Sequence, residues 1–383
     1  MNRPRLRVAH VAQPVVDGVP RVLLDLVCDQ RDNGWDVHVL SPAGWLADQA
    51  RERGVPWQRW EATRSPGPRS LAETGALSTQ LRSLRPDLVH LHSSKAGLAG
   101  RLALRGAVPT VFQPHAWSFS VGGGAQASLA LAWERWATRW TSLQICCSPE
   151  EQVQAHRSGV GGRSRVLVNG VDLEQYRPST PRARRETRTR LGVGPDVPVV
   201  VCVGRLTPQK GQDVALAAWP AVREGAPAAR LLLVGDGPLG GSLRASAPAG
   251  VELLGRRDDV PDLLAAADLV LMPSRWEGLA LALLEAMATG VPVVASAVAG
   301  SASALLAGPL PAAGAVVPVE DPRALAQAVL ERLLDPALRD REGRAGRLRV
   351  EQQYDLAVTT AAVRAAYAEL LDTQRGHDPA KPR

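Results

Sequence analysis

The sequence predicts an α/β protein built from two parallel-sheet domains, and three observations carry that prediction. Short apolar runs of β type alternate with helix-period stretches along the chain, the pattern of strands covered by helices on both faces. The alternation occurs in two series, separated by a Pro-flanked, basic stretch with no strand pattern, RPSTPRARRETRTRLGVGPD. The chain has 383 residues, roughly twice the length at which one core usually suffices.

In the first series the strand candidates are Leu6–Ala12, Asp36–Leu40, Val55–Trp60, Leu88–Ser93, Thr110–Pro114, Leu143–Ser148 and Arg165–Asn169. Helical periodicity fills Pro20–Asn33, Leu71–Leu84 and Leu129–Trp140 between them. The second series starts at Val197 and runs through VPVVVCVGRL, ARLLLVGD, VELLGR, DLVLMPS and VPVVASA. The stretch between the series reads as the link, with one short helix in its middle whose arginines are solvated. After Pro318 the pattern turns wholly helical. The expected organisation is an N-terminal domain over 1–175, a second domain over 176–354, a helix over 355–374 that crosses back to the first domain, and a disordered tail over 375–383.

Composition narrows the function classes. The opening residues, MNRPRLRVAHVAQPVV, hold an apolar run too short for a signal-peptide core or a membrane span,, so a cytoplasmic location is expected. Cys28, Cys146, Cys147 and Cys202 show no metal-ligand spacing and read as reduced core residues. A net charge of +7 makes the surface attractive to anions,, but no nucleic-acid motif or basic-aromatic stripe accompanies it. Trp133, Trp136 and Trp140 fall on one helical face and read as a core stripe, with interfacial contact to a membrane as the alternative.

The strand VVVCVG runs into Arg205-Leu-Thr-Pro-Gln-Lys210-Gly211, which places two cations just beyond a strand's carboxyl end. That edge of an open α/β sheet is where ligands bind. An Arg fork and a Lys point charge can hold a diphosphate without a metal. A second segment, Pro273-Ser-Arg-Trp-Glu277-Gly-Leu-Ala, follows the strand DLVLM and opens into an apolar helix that contains Glu285. Backbone N–H groups of Gly278, Leu279 and Ala280 at that helix start would suit a phosphate. Glu285 lies about one turn in and leans back toward the helix N-terminus. A Glu within LALALLEAMA needs a polar reason to be there.

The runs GRLTPQKG, LVGDGPL and LLGRRDDVPDLLAAADLVLMPSRWEGLALALLEAMATGVPVVAS resemble family 4 of the retaining glycosyltransferases, and the resemblance extends over nearly the whole chain. Its signature, two glutamates with seven residues between them, is met by Glu277 and Glu285. The resemblance implies the GT-B fold, two Rossmann-like domains facing a central cleft. It further implies that Arg205 and Lys210 neutralise the departing diphosphate, that Glu277 binds donor-sugar hydroxyls and Glu285 the ribose, and that the base sits near Arg256. No metal is expected, since no Asp-x-Asp motif lies in a strand-end loop, and no other cofactor, the nucleotide sugar being a co-substrate.

In the first half, the segments DLVHLHSSKAGLAGRLA and PTVFQPHAWSF look like the family's corresponding motifs. By that likeness Gly18 belongs to a loop facing donor phosphates and acceptor, with Asp17 standing where the family commonly has glycine. His115 matches the family's cleft histidine, and Ala116 replaces its usual glycine. Ser93 or Ser94 suits a helix N-cap. Lys95 meets an acceptor phosphate or is simply solvated. Ser94, Lys95 and Trp117 are the acceptor-side candidates. Where the family has Gly-Gly-x-x-Glu after VPVVAS, this chain has Ala297-Val-Ala-Gly300-Ser-Ala-Ser, a departure expected at the second domain's periphery.

The expected activity is retaining, metal-independent transfer of a sugar from a UDP- or GDP-linked donor. His115, Glu277, Arg205 and Lys210 are the expected catalytic groups. The His-Ser-Ser-Lys-Ala-Gly segment most resembles enzymes of polysaccharide and glycolipid assembly, which implies a lipid-linked acceptor and peripheral contact with the inner membrane face. Glycosylation of a small metabolite is the alternative, ahead of a GT-B-fold epimerase and of a binding protein without turnover.

Overall fold

The computed structural model describes residues 5–64, 67–120 and 123–375; the expected tail from 376 onward lies outside them. The chain divides into two compact units, Met1–Asn169 with Ala357–Arg383, and Gly170–Leu356.

The first unit holds a seven-stranded parallel sheet in the order β3-β2-β1-β4-β5-β6-β7. Its strands are β1 (Arg7–Ala12), β2 (Asp36–Ser41), β3 (Trp57–Arg59), β4 (Leu88–His92), β5 (Thr110–Gln113), β6 (Leu143–Cys146) and β7 (Ser164–Val166). The helices between them are α1 (Gly18–Asp32), α2 (Trp45–Glu52), α3 (Ser70–Leu84), α4 (Ser93–Leu104), α5 (Gly124–Ala137) and α6 (Pro149–Arg157). Central strands β1, β4 and β5 are buried almost end to end, as strands covered on both faces must be.

The second unit opens with α7 (Pro181–Arg190) and holds a six-stranded parallel sheet in the order β10-β9-β8-β11-β12-β13. Its strands are β8 (Val199–Val203), β9 (Arg230–Val234), β10 (Val251–Gly255), β11 (Leu269–Met272), β12 (Val293–Ser296) and β13 (Gly314–Val317). Its other helices are α8 (Gln212–Gly225), α9 (Gly240–Ser246), α10 (Val260–Ala266), α11 (Leu281–Ala288), α12 (Ser301–Leu306), α13 (Pro322–Leu334) and α14 (Pro336–Gln353). Asp321 and Asp335 cap the last two, each accepting from the N–H three residues on, with Pro in the first turn,. The core gathers around fully buried Trp219. A final helix, α15 (Leu356–Arg375), packs Val363, Ala366, Tyr367 and Leu370 against Val8, Leu26 and Leu88 of the first unit.

Three expectations change. The basic stretch carries the expected short helix, α7, but two of its arginines are engaged with the fold rather than solvated. Arg184 and Arg188 donate to the carbonyls of Ala265, Ala266 and Ala267 and pair with Asp268; the C-terminal carbonyls of α10 need donors that the helix cannot supply. The tryptophan stripe is not core. Trp136 is 40% exposed and Leu129 on the same helix 72% exposed, while Trp133, Trp136 and Trp140 pack on one another. Finally, β13 went unread because GAVV is four residues of small and apolar type with no period to detect,.

Candidate functional site

In the second sheet, strand order reverses between β8 and β11, the switch point where open α/β sheets bind ligands,. The loops leaving these two strands carry the predicted donor residues, and they are bonded to each other. The Arg275 N–H donates to the Gln209 carbonyl at 2.8 Å, and Gln209 Nε2 donates to the Trp276 carbonyl at 3.0 Å. Gly211 turns the first loop with φ 64°, and a Cβ there would stand 2.0 Å from the Pro273 carbonyl oxygen. Only glycine lets the two backbones approach this closely.

That approach places Lys210 Nζ 2.5 Å from Glu277 Oε1, which also accepts from Ser274 Oγ at 2.9 Å. Arg205, partly exposed, stands at the head of the same loop, and its carbonyl accepts from buried Gln212 at 3.1 Å. Glu285 is 2% exposed, just past the first turn of α11. The helix itself starts at Leu281 with Ala280 as N-cap, so Gly278, Leu279 and Ala280 form the approach to the helix rather than its first turn. Arg256 is exposed beyond β10, the edge strand.

Two features of this site escaped the sequence reading. Arg275 is its clamp: the guanidinium forks onto both Asp213 oxygens at 3.0 and 2.7 Å and also reaches the Pro208 carbonyl and Glu320. Hydrogen bonding to Asp213, then to Glu320, raises its already high pKa, and the same fork holds the Asp213 carboxyl below its ordinary range. The Arg within PSRWEG was visible, but nothing local linked it to Asp213, 62 residues earlier. The Ala297–Ser303 departure is also not peripheral. Gly300 has φ 78°, and a Cβ on it would meet the Gly278 carbonyl oxygen at 2.5 Å, so this segment backs the turn before α11.

The first sheet reverses between β1 and β4. Gly18 starts α1, preceded by Asp17 at φ 78°. Ser93 is not an N-cap: it sits at φ 70° as the first residue of α4 and its hydroxyl donates to the Gln13 carbonyl, while the N-cap position, His92, makes no capping bond. Ser94 follows, half-buried in the first turn of α4. Lys95 is neither solvated nor open to an acceptor. It is 3% exposed, 2.5 Å from Glu73 Oε2 and bonded to Ser70 Oγ. Burial alone would raise the Glu73 carboxyl, but bonds from Lys95 and Thr63 hold it below its ordinary value.

His115, partly exposed after β5, has φ 57°, and Ala116 has φ 122°. Buried Glu151 holds this turn, accepting from the Ala116 N–H at 2.8 Å and the Cys147 N–H at 2.7 Å. Burial raises the Glu151 carboxyl even against these bonds. Trp117 is a core residue, 1% exposed, with its indole N–H on the Glu151 carbonyl at 2.9 Å; it is no acceptor contact. His115 Nε2 meets His92 Nδ1 at 3.1 Å, and His92 Nε2 meets His10 Nδ1 at 3.0 Å. The strand HLH displayed two histidines on one face, yet their partners come from β1, the turn after β5 and α15, outside any local window.

Residues 16–175 match the family described as Glycosyltransferase Family 4, and residues 197–335 match Glycosyl transferases group 1. An Escherichia coli relative, UDP-Gal:alpha-D-GlcNAc-diphosphoundecaprenol alpha-1,3-galactosyltransferase, is 30% identical over 78% of this chain and 81% of its own length. The chain belongs to glycosyltransferase family 4. The Corynebacterium glutamicum GDP-mannose-dependent monoacylated alpha-(1-6)-phosphatidylinositol monomannoside mannosyltransferase is 39% identical, and that match spans about half of each chain, 49% of this one and 51% of the relative. Among solved structures, Anabaena HepE in complex with UDP and glucose superposes with a TM-score of 0.81 at 23% identity, over 95% of this chain and all of that one. This family-4 chain therefore has the GT-B fold, two Rossmann-like units each built on a parallel sheet. No helix among the described residues is long and apolar enough to cross a membrane.

Proposed function

We propose that this family-4 protein is a retaining glycosyltransferase that takes its sugar from a nucleoside diphosphate donor without a metal ion. The observation that supports this reading is the bonded loop pair at the second unit's switch point, with Arg205 and Lys210 on one loop and Glu277 on the other. As the diphosphate leaves, Arg205, Lys210 and the amides of Gly278, Leu279 and Ala280 stabilise the developing charge more than they stabilise the ground state. Glu277 binds hydroxyls of the donor sugar, Glu285 the ribose, and Arg256 borders the base. His115 and the Gly18 loop serve the transferred sugar and the acceptor. The acceptor hydroxyl attacks from the face the diphosphate vacates and passes its proton to the departing phosphate oxygen, so the anomeric configuration is kept.

The acceptor in this reading is lipid-linked. The names of both relatives describe acceptors of that class, and the exposed Leu129 and Trp136 of α5, beside Arg135 and Arg139, give the first unit an apolar-basic face suited to a membrane surface,. The test is a transfer assay in EDTA with UDP- and GDP-sugars and lipid-linked acceptors, with the product anomer read by NMR. Turnover in EDTA with a retained anomer, abolished by Glu285→Gln, is expected. A strict metal requirement, an inverted product or full activity in Glu285→Gln would contradict the reading. Flotation with anionic vesicles tests the membrane face, and Trp136→Ser should weaken it.

A further inference from the structure

The first unit contains more buried imidazole than its proposed chemistry uses. His10 on β1 and His90 and His92 on β4 are fully buried, and His10 lies opposite His90 in the strand register. Because side chains alternate along a strand, all three project from one sheet face, toward fully buried Gln30 of α1 and Tyr367 of α15. Their ring nitrogens lie within 4.8 Å of one another. Three of the chain's histidines form a single hydrogen-bonded line: Gln30 Oε1 to His10 Nε2 at 2.9 Å, His10 Nδ1 to His92 Nε2 at 3.0 Å, and His92 Nδ1 to His115 Nε2 at 3.1 Å. Successive rings are tilted by only 21°, so each imidazole repeats the orientation of the one before.

A neutral imidazole has one N–H and one lone pair. Two such rings share a hydrogen bond only when one donates and the other accepts. Burial keeps every member neutral: His10 is pushed down to about 4 and His115 to about 3, and His92 lies well below its ordinary value through burial and then its histidine neighbours. The amide oxygen of Gln30 can only accept. His10 must then hold its proton on Nε2 and present a lone pair at Nδ1, which obliges His92 to hold its proton on Nε2, which obliges His115 to do the same.

We infer that Gln30, His10 and His92 are positioning residues that lock His115 in the Nε2–H tautomer, so that Nδ1 is left as a hydrogen-bond acceptor for a sugar hydroxyl. The inference rests on the proposed role of His115 at the transferred sugar. It also separates this arrangement from a proton relay. Gln30 has no ionisable group, so a proton entering at His115 Nδ1 has nowhere to go at the far end, and the line orients a hydroxyl rather than removing its proton. A carboxylate in place of Gln30 would accept the same hydrogen bond and yet stabilise an imidazolium.

The test is nitrogen-15 NMR of histidine-labelled protein, which distinguishes a protonated from an unprotonated ring nitrogen and does not depend on turnover. In the wild type, His10, His92 and His115 should each show a protonated Nε2 and an unprotonated Nδ1, unchanged from pH 8 to pH 5. In Gln30→Met the His115 signals should move to a mixture of both tautomers, and kcat/KM should fall roughly tenfold with KM for the donor nucleotide unchanged. Gln30→Glu should keep the tautomer and restore activity, while adding a titration step above pH 5. A protonated Nδ1 on wild-type His115, which a Gln30 amide rotated by half a turn would impose, overturns the inference. So does an unaltered His115 tautomer in Gln30→Met, or stoichiometric zinc bound at His10, His90 and His92, because a nitrogen that ligates a cation cannot also carry the chain's hydrogen bond. If the tautomers are as described and no sugar transfer is found, the lock stands and the functional reading falls.

Discussion

The two units turn their chains at the same topological place, between the first and fourth strands of a parallel sheet, but they build the turns from different residues. In the second unit the positive-φ positions around the candidate donor loops are glycines, Gly211 at 64° and Gly300 at 78°. In the first unit they are Asp17 at 78°, Ser93 at 70°, His115 at 57° and Ala116 at 122°. Glu320, at 58°, is the second unit's exception, and it is a partner of the Arg275 clamp. A side chain in this region costs on the order of 1–3 kcal/mol and persists only where its surroundings hold it. Glu151 does so for Ala116, and the Gln13 carbonyl for Ser93. The second unit fits its loops by close backbone approach, the first by strain held with buried polar groups.

The largest effect that would sharpen this contrast comes from Gly211→Ala. Its Cβ would collide with backbone, not with a yielding side chain, so a loss of more than about 4 kcal/mol is expected in the second unit's chemical unfolding. A loss below about 1 kcal/mol would break the comparison. Acid comes next. All seven histidines lie outside Gly170–Leu356, so histidine titration between pH 7 and pH 4 bears on the first unit alone. His10 has its pKa lowered from 6.5 to about 4 in the fold; the unfolded chain therefore takes up the proton first as pH falls. Stability is complete above about pH 6.5 and is lost as pH drops toward 4, on the order of 3 kcal/mol from His10 alone. Calorimetry at pH 7.5 and 4.5 should show the first unit's transition moving down while the second unit's moves much less.

Smaller effects follow. Arg275→Lys keeps the charge but removes the fork on Asp213, and should lower kcat/KM roughly tenfold. Ala116→Gly relieves the strain at φ 122° at the cost of chain entropy, and should raise stability by about 1 kcal/mol; a destabilised variant would show that this turn is not strained.

The same contrast explains what was legible in the sequence. The strands around Val201, Leu233 and Val270 are continuous apolar runs, and the loops beyond them carry a Glu-seven-Glu spacing that local context makes readable. Lys210 and Glu277 could be named because each sits in a motif of its own. Their ion pair, and the Arg275 clamp, needed the register of β8 against β11. In the first unit the sequence pointed to His115 but misread Lys95 and Trp117, since a Lys or Trp beside a motif looks like a site until its partners are known. Glu73 and Glu151, which bury them, are 22 and 34 residues away in the chain. The histidine line draws on β1, α1, β4 and the turn after β5, and no sequence window contains it.

The most direct measurement is calorimetric titration of UDP and of GDP, in EDTA, into the wild type, Lys210→Ala and Gln30→Met. At least one nucleotide should bind without metal, Lys210→Ala should weaken it tenfold or more, about 1.4 kcal/mol, and Gln30→Met should leave it unchanged. Binding that requires a divalent ion, or that Lys210→Ala leaves intact, would contradict the assignment of the second unit's loop pair as the donor site.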